Sequence, residues 1–276
     1  MNKPVLVLLA FALFACAQKR SVVEVAPSPI AVPTVPVDHM GELARYGSDA
    51  VLWQHASAEA YRLQQQGYEL ARLRLVENLK VADKRPPAVI VDIDETVLDN
   101  SPYQVAAIAI GHTFDQASWK AWTDRSAAAA IPGAVAFLQY ARSLQCNIFY
   151  ITNRDLRERA TTLRNLDSLG FPQADEAHLL LMEGTSDKTE RRARVASDHQ
   201  VVLLVGDQLR DFDERFKDRS VNDGKSTVDT MADTLARYFI LLPNPMYGTY
   251  RDAVQGKGTD EEKHRNMDEW FQRNGK

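Results

Sequence analysis

The sequence predicts an α/β fold, a parallel sheet covered by helices on both faces. Three observations lead there. Short apolar runs rich in β-branched residues recur between residues 88 and 242, as strands buried on both faces require. Helical patterns separate them, which argues for parallel pairing. Acidic and polar residues follow directly after several runs, at the strand ends that open into the ligand crevice of such sheets.

The 276 residues suffice for one large domain with additions, and 45% hydrophobic with 25% charged residues is ordinary for a soluble globular chain. The chain starts with a targeting segment. Lys3 gives the positive start, residues 5–14 an apolar stretch too short to span a bilayer, and Ala15 a small residue before Cys16. Residues 1–16 thus resemble a bacterial lipoprotein signal that ends at Cys16, the lipidated residue. This predicts export to the bacterial cell envelope, as an outer-membrane lipoprotein or a periplasmic protein, and Ala17 rather than Asp after the cysteine favours the outer membrane. Pro27, Pro29, Pro33 and Pro36 make residues 17–40 an extended tether. With Cys16 lipidated, Cys146 has no partner, so the domain must be stable without a disulfide.

Over residues 43–81 the pattern turns helical. Trp53, Ala56, Ala60, Leu63, Gly67 and Leu70 recur at spacings of three and four, with Tyr61, Tyr68 and Leu75 widening the stripe. This predicts an N-terminal amphipathic helix packed on the main domain through that face, ended by Lys84-Arg85-Pro86-Pro87. Strands follow at 88–91, 147–151, 177–181, 201–205 and 238–242, with helices at 132–144, 157–169, 189–198 and 227–236 between them. Residues 100–131 break the rhythm. They start Asn100-Ser101-Pro102, a helix start with proline just inside, and carry Phe114, Trp119 and Trp122, more than a connector needs. This predicts a small helical cap over the strand ends. Residues 260–265 read as a solvated helical face. The whole is a Rossmann-like parallel sheet with a cap insert and an N-terminal helix.

Four segments end on the same edge of that sheet: Asp92-Ile93-Asp94, Thr152-Asn153-Arg154, Ser186-Asp187-Lys188, and Gly206-Asp207-Gln208-Leu209-Arg210-Asp211. Two carboxylates spaced two apart repel, so a divalent cation or a shared proton must hold them. Their types suit phosphoryl chemistry. Asp92 is the natural nucleophile, forming an acyl-phosphate. Asp94 protonates the leaving oxygen and later takes a proton from water. Thr152 and Lys188 hold phosphate, and a helix starting near Asn153 would add a favourable dipole. Asp207 and Asp211 complete an oxygen-rich site for a hard cation, Mg²⁺.

Asp92-Ile93-Asp94-Glu95-Thr96-Val97-Leu98-Asp99-Asn100-Ser101-Pro102-Tyr103 resembles the first motif of the bacterial class C nonspecific acid phosphatases, the outer-membrane lipoprotein 5′-nucleotidase group of the haloacid dehalogenase superfamily. Ala130-Ile131-Pro132-Gly133-Ala134, Phe149-Tyr150-Ile151-Thr152-Asn153-Arg154, residues 205–212 and Leu242-Pro243-Asn244-Pro245-Met246-Tyr247-Gly248 are similar to it as well. So are Trp53, Gln54, Ser57, Glu59 and Tyr61. The resemblance implies a phosphatase domain over 41–276 with its cap insert at about 100–131. It implies Mg²⁺ on Asp92, the Asp94 carbonyl and Asp207, with Asp211 nearby, and phosphate held by Thr152, Asn153 and Lys188. It further implies that Trp119 and Tyr247, with Phe114 and Asn244 behind them, sandwich a nucleoside base, and that the protein is a homodimer. Glu183-Gly184-Thr185 stands where the group often carries extra lysines.

The expectation is an exported, Mg²⁺-dependent acid phosphatase acting on nucleoside 5′-monophosphates through an aspartyl-phosphate. Several classes are excluded. A net charge of −4 gives no support for binding a nucleic-acid polymer. The six histidines lack zinc-site spacing. An acid at Asp94 excludes a dehalogenase, whose halide leaves without a proton, and an ion pump would need membrane helices. The rival from another class is a non-catalytic surface lipoprotein, a ligand-binding or adhesive module, which has no need of a nucleophile.

Overall fold

The computed structural model describes residues 39–275. The expected signal segment 1–16 with Cys16, and residues 17–38 of the expected tether, lie outside them; the tether's last two residues, His39 and Met40, already belong to a helix. None of the described helices is long and apolar enough to cross a membrane.

Helices α1 (His39–Arg45), α2 (Ser48–Ala56) and α3 (Ala58–Leu79) lead to β1 (Pro87–Val91). A short ribbon, β2 (Leu98–Asp99) with β3 (Ala129–Ala130), closes off the cap helices α4 (Ser101–Ala109) and α5 (Gln116–Thr123). Then follow α6 (Ala134–Ser143), β4 (Asn147–Asp155), α7 (Arg159–Ser168), β5 (Leu179–Met182), α8 (Thr189–Asp198) and β6 (Gln200–Gly206). The remainder is α9 (Lys225–Thr230), α10 (Ala232–Tyr238), β7 (Phe239–Leu241), α11 (Thr249–Gln255) and α12 (Asp260–Asn274).

The main sheet runs β5-β4-β1-β6-β7 with every pairing parallel. Strands leave β1 in both directions, so the connections diverge between β1 and β6, and a crevice opens at their C-terminal ends. Alternation along β1 feeds two cores. Val89 and Val91 pack with Tyr68 and Leu75 of α3, Phe137 and Leu138 of α6 and Leu166 of α7. Ala88 and Ile90 pack on the opposite face with Phe149, Val195 of α8 and Phe212. Each large buried side chain contributes on the order of 2 kcal/mol of transfer free energy. The predicted strands and helices are found with ends shifted by a few residues, except that the helix expected at 227–236 is two, α9 and α10, broken at Met231.

Two further expectations need correction. The single N-terminal helix is three, broken at Gly47 and at Ser57, whose extended backbone (ψ 141°) lets its hydroxyl accept from the Ala60 N–H. Its buried face agrees with the predicted one at Ala60, Tyr68 and Leu75 and departs from it elsewhere. Ala60, Gln64, Tyr68, Ala71, Leu75 and Asn78 are buried, whereas Tyr61, Leu63 and Leu70 are 56, 44 and 43% exposed. The face is turned by about one residue, roughly 100°. Tertiary partners decide this. Asn78 donates to the carbonyls of Val202 (2.8 Å) and Arg237 (3.0 Å), and the Tyr68 hydroxyl to the carbonyl of Thr96 (2.6 Å). A counting of apolar residues cannot anticipate polar groups that are buried because they are satisfied.

The second correction concerns the segment that ends β4. No helix begins near Asn153. The strand continues to Asp155, whose side chain and that of Glu158 form a reciprocal capping box, so the helical turn starts at Leu156.

Candidate active site

The motif after β1 folds back on itself. The Asp92 N–H continues the ladder to the Val205 carbonyl (3.0 Å). Glu95 then adopts φ +56°, and the N–H groups of Thr96, Val97 and Leu98 all reach the Ile93 carbonyl. This tight loop points Asp92 and Asp94 into one cleft of about 530 Å³, which Asn153, Lys188, Asp207 and Asp211 also line.

Asp92, Asp207 and Asp211 offer carboxylate oxygens within 4.8 Å of one another. Lys188 sits among them, 2.8 Å from Asp211 and in contact with Asp92, nearly sealed from solvent. Burial pushes the Asp92 carboxyl well up; the Lys188 ammonium opposes this, while Asp211, Asp207 and Asp94 add to the rise. Asp207 is raised to about 7 by burial and by Asp211, against hydrogen bonds from Asn244 and Gln208. Burial would lower Lys188, but Asp211 and Asp92 outweigh it and keep the ammonium charged. The pocket thus gathers more carboxyl groups than cations, and all their oxygens are hard donors. That donor set fits a divalent ion such as Mg²⁺.

Asp94 stands outside the carboxylate trio. Its Oδ1 accepts from Arg154 Nη2 (2.7 Å), Arg154 Nε (3.0 Å) and Asn100 Nδ2 (2.8 Å). Thr152, fully buried, turns its hydroxyl to Asp94 Oδ2 at 3.4 Å and accepts from the Arg154 N–H. Asn153 is exposed to the cleft; its side chain is held by Arg191 (2.7 Å) and by the Ser186 carbonyl (3.1 Å). Phe114 and Trp119 line the cap wall of the cleft and Tyr247 another part of it. Tyr103 and Trp119 meet edge to face, with centroids 5.2 Å apart, and the Arg154 guanidinium lies 5.7 Å from the Trp119 ring. The Asn244 amide donates to Asp207 Oδ2 (2.7 Å).

Sequence reasoning gave no role to Arg154, Arg191 or Asn100. Arg154 is buried and forks onto Asp94 while its Nη1 reaches Thr162. Arg191 donates to the Thr152 carbonyl and the Asn153 side chain, tying α8 to the end of β4. A signal existed for Arg154, an arginine inside a strand-end motif, where isolated charge is costly unless paired. For Arg191, in the charged run Glu190-Arg191-Arg192, nothing in the sequence separates the inward residue from its neighbours.

This geometry defines a phosphoryl-transfer site on a doubly wound sheet. Residues 13–250 match the family model described as HAD superfamily, subfamily IIIB (Acid phosphatase), and the chain belongs to that family. The class C acid phosphatase from Bacillus anthracis is 35% identical, with a TM-score of 0.78 over 83% of this chain and 97% of that one. A crystal structure of the same enzyme with tungstate bound matches at 34% identity, with the same TM-score and coverage. Acid phosphatase 1 of Solanum lycopersicum is 27% identical over 158 residues, and the stem 31 kDa glycoprotein of Glycine max 26% over 166 residues. These alignments span 57% and 58% of the two plant proteins.

Proposed function

We propose that this protein is an exported phosphomonoesterase that uses Mg²⁺ and an aspartyl-phosphate on Asp92, with nucleoside 5′-monophosphates as substrates. The observation that carries this reading is the trio of buried Asp92 and Asp207 with half-buried Asp211 around Lys188, at the strand ends where the sheet's connections diverge. Asp92, Asp207, Asp211 and the Asp94 carbonyl are the groups to hold the metal. When bound, the metal supplies positive charge that lets an anionic carboxylate meet an anionic phosphate.

The chain's own groups then perform two steps. An oxygen of Asp92 attacks phosphorus, the ester P–O bond breaks, and Asp94 gives its proton to the departing alcohol oxygen. A water next attacks the aspartyl-phosphate, Asp94 takes its proton, and the bond from phosphorus to Asp92 breaks. Lys188, Asn153 and the backbone at Thr152 hold the phosphate oxygens. Phe114, Trp119 and Tyr247 give the leaving group an aromatic surface, and stacking of that kind tolerates any base. Asn244 serves Asp207 in this reading rather than the base.

Export, lipidation at Cys16 and an outer-membrane location rest on the N-terminal pattern alone. A homodimer belongs to the same reading, supported by the exposed apolar stripe of Leu63, Leu70 and Leu73 on α3.

The experiment is a phosphate-release assay with AMP, in Mg²⁺ and in EDTA, for the wild type and Asp92→Asn. Mg²⁺-dependent release by the wild type and none by the variant, with nucleotide binding and Tm retained, is the expected result. Release that survives EDTA, or unchanged turnover in Asp92→Asn, refutes the mechanism.

A further inference from the structure

Asp94 is held by the core and by the cap. Asn100, fully buried at the entry to α4, donates through Nδ2 to Asp94 Oδ1 (2.8 Å) and accepts at Oδ1 from Trp122 Nε1 (2.8 Å). Its backbone N–H is fixed by Glu95 Oε1 (2.9 Å). An asparagine amide by itself can face either way. Indole nitrogen only donates, so Trp122 compels the carbonyl end of Asn100 toward the cap and the NH₂ end toward Asp94. The two oxygens of Asp94 then become unlike. Oδ1 receives three donors at 2.7–3.0 Å, two from Arg154 and one from Asn100. Oδ2 has only the longer approaches of Arg154 Nε (3.2 Å) and Thr152 Oγ1 (3.4 Å).

We infer that Trp122 and Asn100 are positioning residues for proton transfer by Asp94: they anchor Oδ1, leave Oδ2 as the oxygen that carries the proton, and tie that alignment to the seating of the cap. The inference rests on the phosphatase reading above. Helix α5 carries both ends of the device. Trp119 lines the substrate cleft, and Trp122, less than one turn on, reaches the residue that aims the acid. A leaving group seated on Trp119 and an acid aligned through Trp122 therefore share one rigid element. In the first step the proton on Oδ2 passes to the ester oxygen as its bond to phosphorus breaks. In the second Oδ2 takes a proton from the attacking water.

The test exploits leaving groups. An alkyl ester such as AMP expels a poor alkoxide and needs the proton; p-nitrophenyl phosphate expels a stable phenolate and does not. The ratio kcat/KM reports the step that breaks the ester bond. In Trp122→Phe, which deletes the N–H and keeps a ring, kcat/KM for AMP should fall on the order of tenfold, a fraction of what general acid catalysis supplies. For p-nitrophenyl phosphate the fall should stay under about threefold, since no proton is required there. Asn100→Ala should show the same selective loss without altering the cap's aromatic packing, and it carries the test if Trp122→Phe does not fold. Equal losses on both esters, or no loss on either in a folded variant, overturn the inference and leave Trp122 and Asn100 as structural ties. A wild type that releases phosphate from neither ester overturns the phosphatase reading instead.

Discussion

Gly206 is the position where a single methyl group tests the architecture of the carboxylate trio. It ends β6, its backbone is outside the left-handed region, and alanine is conformationally acceptable there. The space is not. A Cβ at Gly206 would lie 2.6 Å from Asp211 Oδ2, 2.7 Å from Asp211 Cβ and 2.9 Å from its Cγ. Ordinary carbon contacts need about 3.5–4.0 Å, so Asp211 must retreat by roughly 1 Å. Because its Cβ is among the clashing atoms, rotation of the side chain cannot relieve the contact, and the turn Leu209–Asp211 must move. That movement strains the bond from the Gln208 N–H to Asp211 (2.9 Å) and the Lys188–Asp211 ion pair (2.8 Å). Overpacking of this kind costs about 1–3 kcal/mol. For a domain of this size about 2 kcal/mol lowers Tm by about 4–8 °C. The Mg²⁺ concentration for half-maximal activity should rise at least about tenfold, since one displaced carboxylate forfeits on the order of 1.4 kcal/mol of ion binding. Thermal unfolding and Mg²⁺ titration of phosphate release measure both. In the double variant Gly206→Ala/Asp211→Gly the Tm losses should be less than additive, because the clash has no second partner. Wild-type Tm and Mg²⁺ response in Gly206→Ala would refute the argument.

Two other expectations follow from the charged groups. Arg154→Lys keeps a charge but cannot reproduce the fork onto Asp94 or the bond to Thr162, and should cost about 2 kcal/mol, below the range for leaving a fully buried charge unpaired because Asp94 retains some solvent; a urea midpoint within about 0.5 kcal/mol of wild type would contradict it. In EDTA the folded protein should lose stability as pH rises. Asp207, raised from 3.8 to about 7, holds a proton in the fold that the unfolded chain has already released. The resulting stability is complete below about pH 4 and is lost as pH rises through about 7. Tm in EDTA should therefore fall between pH 5 and 8, Mg²⁺ should restore more at the alkaline end, and a Tm in EDTA that rises across that interval would contradict the picture.

The strands and the four terminal motifs could be read in the chain because they are local. A run such as Val89-Ile90-Val91 can be buried on both faces only inside a covered sheet, and Asp92-Ile93-Asp94 at its end announces its own chemistry. The helix over residues 58–79 is recognisable for the same reason, yet its inward face is legible only in part, at Ala60, Tyr68 and Leu75. Leu63 and Leu70 look like core, while Gln64 and Asn78 are core, because carbonyls 124 and 159 residues away satisfy Asn78. A helix N-terminus at Asn153, which would have added a dipole there, is absent because the pairing of β4 with β5 extends the strand to Asp155. Asn244 matches a family motif in sequence, and only the fold shows that its amide holds Asp207.

Composition and order of residues thus settled the class of fold and pointed to the acidic groups that meet at one edge of the sheet, both of which depend on neighbours a few positions apart. Which oxygen of Asp94 is anchored, which arginine of α8 turns inward and how tightly Gly206 admits Asp211 were decided only by chain closure. Those contacts join residues up to 60 positions apart, and their energies exist only once the sheet has brought the strand ends together.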